Sequence, residues 1–243
     1  MKPVAIPLDP HIQLSELQCP KTTSKITRMR NIPYHQAVSS LIHLATSTRP
    51  DIAFATSFVS QFNANPGWDH WEAVKRIYRY LIGTKSLTLT FRTQAQGLIG
   101  YVNADGATQE HRRAITGFAV LVDRGAILWG SRKQELVTLS TAESEYVTVT
   151  HAAKEALWLR CHIGEMFRPL MQPMTLFRDN QSAIALTHDG SYHARMKHID
   201  ICYHFIRFTV KDGSIRFLYC SSNNMVTDTL TKALPSIKAK HFA

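Results

Sequence analysis

The stretch Leu98-Ile99-Gly100-Tyr101-Val102, then Ile115-Thr116-Gly117-Phe118-Ala119-Val120-Leu121-Val122, then Ala126-Ile127-Leu128-Trp129 reads as three strands in succession. Each is a short run rich in β-branched and aromatic residues, punctuated by glycine. Asp123-Arg124-Gly125 supplies a hairpin turn between the last two. Three consecutive strands suggest an antiparallel meander.

Downstream, the period changes. Residues 141 to 166 carry Ala142, Tyr146, Val149, Ala153, Ala156, Leu157 and Leu159 at helical spacing. Pro173 to Phe177 reads as a strand, Asn180 to Leu186 as a short helix, and Lys197 to Val210 as another helix. Ile215 to Tyr219 alternates like a strand, and a closing helix is expected over Met225 to Leu234. Strands alternating with helices add parallel neighbours to a sheet that began antiparallel. The expectation is a mixed α/β layout of five strands with flanking helices.

Upstream, residues 34 to 96 read mainly as helices. Val38, Leu41, Ile42 and Ala45 recur at three- and four-residue steps. Asp51 follows Pro50 and is placed to cap a second helix bearing Phe54, Phe58, Val59 and Phe62. Asn65-Pro66-Gly67 breaks the pattern, and a third helix runs over Asp69 to Ile82 with Gly83 as its C-cap. Leu87 to Arg92 looks strand-like. Residues 1 to 33 show weak periodicity, with Lys21, Lys25, Arg28 and Arg30 among threonines, and read as a basic extension.

Composition narrows the function classes. Twenty-eight Lys plus Arg against 18 Asp plus Glu give a formal charge of +10. Such an excess points to a polyanionic partner, most often nucleic acid. Arg112, Arg113, Arg132 and Lys133 flank the second and third strands as candidate phosphate contacts. The four cysteines form no C-x-x-C pair, which argues against a zinc ribbon. His193, His198 and His204 near Cys202 fit no common structural zinc spacing. No G-x-S-x-G elbow announces a serine hydrolase. No signal-peptide-like start and no membrane-length apolar run is present, so the expected location is cytoplasmic or nuclear.

Acidic and amide residues fall at element ends. Asn103 and Asp105 close the first strand, Glu145 lies one turn inside the long helix, Asp179 follows a strand, and Asp228 sits in the last helix. Carboxylates so placed can converge in one cleft and hold two magnesium ions, which want hard oxygen ligands. Two ions side by side suit phosphodiester cleavage.

Several stretches then carry a family resemblance. Thr48-Arg49-Pro50-Asp51-Ile52-Ala53 and Val74-Lys75-Arg76-Ile77-Tyr78-Arg79-Tyr80-Leu81 resemble the segment after the palm of copia-type reverse transcriptases. Leu139-Ser140-Thr141-Ala142-Glu143-Ser144-Glu145-Tyr146, Asp179-Asn180-Gln181-Ser182-Ala183-Ile184, Lys197-His198-Ile199-Asp200-Ile201 and the stretch from Asp228 to Leu234 resemble, in order, motifs of the ribonuclease H domain that follows. The resemblance implies a ribonuclease H-like domain over 97–243, a helical reverse-transcriptase remnant over 34–96 and an N-terminal extension over 1–33. It implies further polyprotein modules upstream, among them the polymerase aspartates, which nothing in this chain resembles. It implies hydrolysis of RNA in RNA–DNA hybrids, with Glu145, Asp179 and Asp228 as catalytic metal ligands for two Mg2+ or Mn2+ ions. The family's first aspartate falls on Asn103, which is neutral. The expected consequence is a weakened or silent nuclease, with Asp105, two residues on, as a substitute ligand, or a fold that only grips nucleic acid.

Overall fold

A computed structural model describes residues 2–91, 97–105, 113–135, 141–167, 170–181, 184 and 200–242. The chain falls into two compact units, Met1–Leu89 with Lys232–Ala243, and Thr90–Thr231. The expected helical segment ran on to residue 96, and the expected sheet domain took in the whole C-terminus.

The first unit is helical. Its elements are α1 (Thr23–Arg30), α2 (Tyr34–Ser47), α3 (Ala53–Ser60) and α4 (Trp68–Gly83), with α8 (Ser236–Phe242) near the chain's end. The stretch read as a basic extension thus contains α1, capped by the Thr22 side chain. Val38, Leu41, Ile52, Val59, Val74 and Ile77 are buried without residual exposure. Asp51 does not cap a helix as its position suggested. It sits in a 3-10 turn over Pro50–Ile52 and takes two hydrogen bonds from Arg49, at 2.8 and 2.7 Å, and one from the Tyr80 hydroxyl at 2.8 Å. The Thr48–Ala53 motif is therefore a structural clasp, since Arg49 also reaches the carbonyl and hydroxyl of Thr84. Gly83 is the last helical residue and Thr84 the cap. Residues 87–91 are irregular rather than a strand.

The second unit is a five-stranded mixed sheet in the order β3-β2-β1-β4-β5. Its strands are β1 (Leu98–Asp105), β2 (Ile115–Val122), β3 (Gly125–Lys133), β4 (Met174–Arg178) and β5 (Ile215–Tyr219). The first three form the expected meander, and β4 and β5 join in parallel. Asp123 and Arg124 both adopt positive φ, 47° and 69°, as a two-residue type I′ hairpin turn requires. Gly125 carries no side chain because the Phe91 ring lies where a Cβ would stand, 2.2 Å away.

Alternation along β1 decides what each face meets. Val102 joins Phe118, Val120, Met174 and Leu176 under α5 (Thr141–Met166), whose Tyr146, Val149, Ala152, Ala153 and Ala156 complete the core with Tyr203 and Ile206 of α6 (Asp200–Lys211). Asn103 belongs to the opposite set, shared with Tyr101 and, across the β1–β2 register, Gly117. The short α7 (Asp228–Thr231) packs there. The expected closing helix over 225–234 is thus only one turn of helix, and α8 is a separate element. The rest of the expected helix over 180–186, apart from residues 180, 181 and 184, lies outside the described residues, as does the start of the one from Lys197.

Candidate functional site

Gly117 is the residue that lets α7 reach the sheet. A Cβ there would stand 2.5 Å from Thr231 Cγ2, 3.1 Å from Leu230 Cβ and 3.2 Å from the Thr227 carbonyl. With hydrogen in that place, α7 seats directly on β2 and brings Asp228 beside Asn103, the partner of Gly117 in the ladder. The Asn103 amide donates from Nδ2 to Asp228 Oδ1 at 2.7 Å, and both side chains are buried. An aspartate at 103 would put two carboxylates at that separation and need a proton or a cation between them. The asparagine needs neither.

The other carboxylates gather around β4. Its register with β1 ends with Tyr101 opposite Phe177, and Asp179 directly follows the strand. Asp179 accepts from the Ser222 hydroxyl at 3.0 Å. Its charge also helps to push up the Cys220 thiol, which burial has already raised. Arg178, one residue earlier, faces the other way, into α5. There its Nη2 donates to Glu145 Oε2 at 2.8 Å, with the two side chains only 1% and 6% exposed. Burial pushes the Glu145 carboxyl up, Arg178 pulls it back down, and Asp179 adds a smaller upward push. Burial likewise lowers the Arg178 guanidinium, against the pull of Glu145.

Gln134 fixes where α5 begins. Its side-chain amide donates to the Ser144 carbonyl at 2.9 Å, the residue before Glu145, and to the hydroxyls of Thr148 at 2.9 Å and Thr116 at 3.2 Å. Thr116 and Thr148 share a hydrogen bond of their own at 2.9 Å. This knot ties β2, the end of β3 and α5 together, so that Glu145 is held to the sheet from two sides.

The structure thus joins Asn103 to Asp228, and Glu145 to Arg178 with Asp179 in electrostatic reach. Asp105 ends β1 opposite Ile115, half-buried on the Asn103 side. Arg113 and Arg132 are exposed, and Lys133 is half-buried. Through the pairs Asp105 with Ile115 and Ile115 with Lys133 they stand at the sheet end where β1 finishes. Arg132 pairs with Glu135 at 2.7 Å, and Arg112 lies outside the described residues. Arg178, Gln134 and Gly117 went unsuspected in the sequence. Arg178 directly precedes the acidic Asp179 and follows an apolar strand, and that placement was the one available signal.

Whether this set fits a pair of divalent ions can be judged from its chemistry. Asn103 brings a neutral amide and spends it as a donor. One Glu145 oxygen is taken by a guanidinium. Among the described residues no three His, Cys, Asp or Glu side chains stand together closely enough to hold a metal. As arranged, the donors do not fit two magnesium ions. No helix among the described residues is long and apolar enough to cross a membrane, and all four cysteines are free of disulfides.

Comparison with known proteins places the chain. It is 43% identical over 238 residues, 98% of its length, to a retrovirus-related Pol polyprotein from transposon TNT 1-94 of Nicotiana tabacum, and covers 18% of that protein. It is 36% identical over 244 residues, 100% of its length, to the Pol polyprotein from transposon RE1 of Arabidopsis thaliana, and covers 16% of it. Among solved structures, the foamy viral protease-reverse transcriptase in complex with RNA/DNA hybrid is similar at 13% identity and a TM-score of 0.45, over 83% of this chain and 27% of that one. No family model matches. The chain spans less than a fifth of the length of these Pol relatives, and its close homologues are retrovirus-related Pol polyproteins from plant transposons.

Proposed function

We propose that residues 97–243 are the ribonuclease H-like module of a copia-type Pol polyprotein that grips RNA–DNA hybrid without efficiently cutting it, and that residues 34–96 are the helical remnant behind the palm of its reverse transcriptase. The observation that carries this reading is the Asn103–Asp228 hydrogen bond at 2.7 Å. A neutral amide has replaced a charge at the position where the family resemblance expects a metal ligand, and it has satisfied the neighbouring carboxylate from within the protein. Loss of one oriented electrostatic contact in a catalytic site costs on the order of a hundred-fold in rate. Mg2+ or Mn2+ would supply charge for the hydrolysis, but the donor set does not fit them.

Binding stands on different residues. Arg113, Arg132 and Lys133 line the sheet end that carries Asn103 and Asp105, and the chain bears a formal charge of +10. Phosphate contacts of this kind carry affinity but no sequence preference. Shape and 2′-hydroxyl contacts would set any preference for a hybrid over DNA. The upstream modules of the polyprotein are the expected protein partners.

A labelled RNA–DNA hybrid tests the proposal. Its anisotropy with the full chain should rise at low salt, and affinity should fall steeply as salt is added. The same hybrid in magnesium should stay intact. Cleavage by the natural chain at a rate that Asp105→Ala abolishes would overturn the reading and make Asp105 the working ligand.

A further inference from the structure

We infer that Arg178 is the built-in counter-ion of Glu145 and Asp179, a guanidinium fixed by the fold beside residues that the family resemblance assigns to a divalent cation. The inference rests on the proposal that the natural chain does not cut hybrid. It adds a second block, independent of Asn103.

Arg178 heads the large side chains that are fully buried among the described residues. Arginine is almost never fully buried unless paired. Its partner is Glu145, at 2.8 Å, the residue on which the family's glutamate ligand falls. Its Nε and Nη1 find no hydrogen-bond partner among the described residues, so the packing tolerates two unsatisfied donors to keep this charge in place. Asp179, next in the chain, adds a second negative charge within electrostatic reach of both Arg178 and Glu145.

The charge tally points the same way. Four carboxylates would present four negative charges to two ions. Here Asn103 removes one charge and Arg178 offsets a second. A guanidinium is planar, always charged and cannot be displaced by losing its proton. Magnesium arriving at Glu145 must therefore compete with a hydrogen-bonded cation already seated there. Replacing Asn103 by aspartate leaves that competitor untouched.

The stability of the metal-free protein separates the two possibilities. In a cluster that waits for metal, carboxylates repel one another, and Glu145→Gln relieves the repulsion and raises the melting temperature in EDTA. In a cluster already neutralised by Arg178, Glu145→Gln removes the guanidinium's partner and lowers it. The full chain with Glu145→Gln should melt lower. Asn103→Asp alone should gain no melting-temperature rise from magnesium or manganese and should leave hybrid intact. Asn103→Asp with Arg178→Met should gain a metal-dependent rise.

A higher melting point for Glu145→Gln in EDTA, or manganese uptake and cleavage by Asn103→Asp alone, would overturn the inference. Cleavage by the natural chain would instead overturn the proposal beneath it, while the sign of the Glu145→Gln shift still reports on Arg178. Should the double variant not fold, that sign decides alone.

Discussion

Gly117→Ala tests how α7 comes to rest on the sheet. The added Cβ would stand 2.5 Å from Thr231 Cγ2, about 1 Å inside the separation at which carbon atoms attract. Neither side can yield freely, because Thr231 is fully buried and Leu230 is 2% exposed. Overpacking of this kind costs about 1–3 kcal/mol. Gly117 does not have positive φ, so alanine is not strained there and regains roughly 0.5–1 kcal/mol of strand propensity. The expected net loss is centred on roughly 1 kcal/mol, read from urea unfolding. The Asn103 side-chain amide, hydrogen-bonded to Asp228, should lose protection from hydrogen exchange as α7 lifts. Thr231→Ser removes the colliding methyl, so Gly117→Ala with Thr231→Ser should recover most of the loss. Equal stability of Gly117→Ala and the natural chain, or a double variant no better than the single, would refute the claim that this contact seats Asp228.

Arg178→Met should destabilise the second unit by about 3–5 kcal/mol, because it strands a buried carboxylate. Glu145→Leu with Arg178→Met should cost far less than the two single changes combined, and a double-mutant cycle in urea measures the difference. A second expectation concerns His70, which is fully buried, accepts from the Gly67 amide at 2.8 Å and lies 3.1 Å from the Ser15 carbonyl. Burial holds its pKa below the ordinary value. The unfolded chain therefore takes up a proton first as pH falls below about 6.5, and the helical unit should lose stability from there down to the folded pKa. Melting curves from pH 7.5 to 5 would show this, and His70→Gln should flatten the slope. Finally, Arg113→Ala and Arg132→Ala should each reduce the slope of log affinity against log salt for hybrid by about one. The exposed Arg132–Glu135 pair should contribute little to stability.

How much of this was legible depended on the range of the physics. The meander was legible because short β-branched and aromatic runs and the Asp123-Arg124-Gly125 turn are local signals. The long helix was legible because its apolar face repeats over 26 residues. The place of Asn103 could be suspected from the motif in which it stands. Its hydrogen bond could not, because the partner lies 125 residues away. Gly117 looked like ordinary strand punctuation, and its meaning appears only when α7 is laid over it. Gln134 carried no signal in the sequence, yet it is buried and binds the start of α5. The single closing helix over 225–234 failed, since only Asp228–Thr231 is helical, a break that a count of apolar residues does not register.

The two unexpected donors, Asn103 and Arg178, act in the same physical direction. Buried carboxylates that face one another are costly in a metal-free fold and are retained where a bound cation or a catalytic task compensates. An amide that donates to Asp228 and a guanidinium that holds Glu145 remove that cost by hydrogen bonding and charge, within the chain itself. Most substitutions destabilise a protein, and those that stabilise an active site at the expense of its chemistry are tolerated once the chemistry is no longer demanded. Carboxylates turned inward to their own donors, beside the exposed Arg113 and Arg132, support the proposed binding without efficient cleavage. The acidic residues Glu145, Asp179 and Asp228 each have a protein partner, in Arg178, Ser222 and Asn103 respectively, and in the metal-free fold it is these contacts that compensate them.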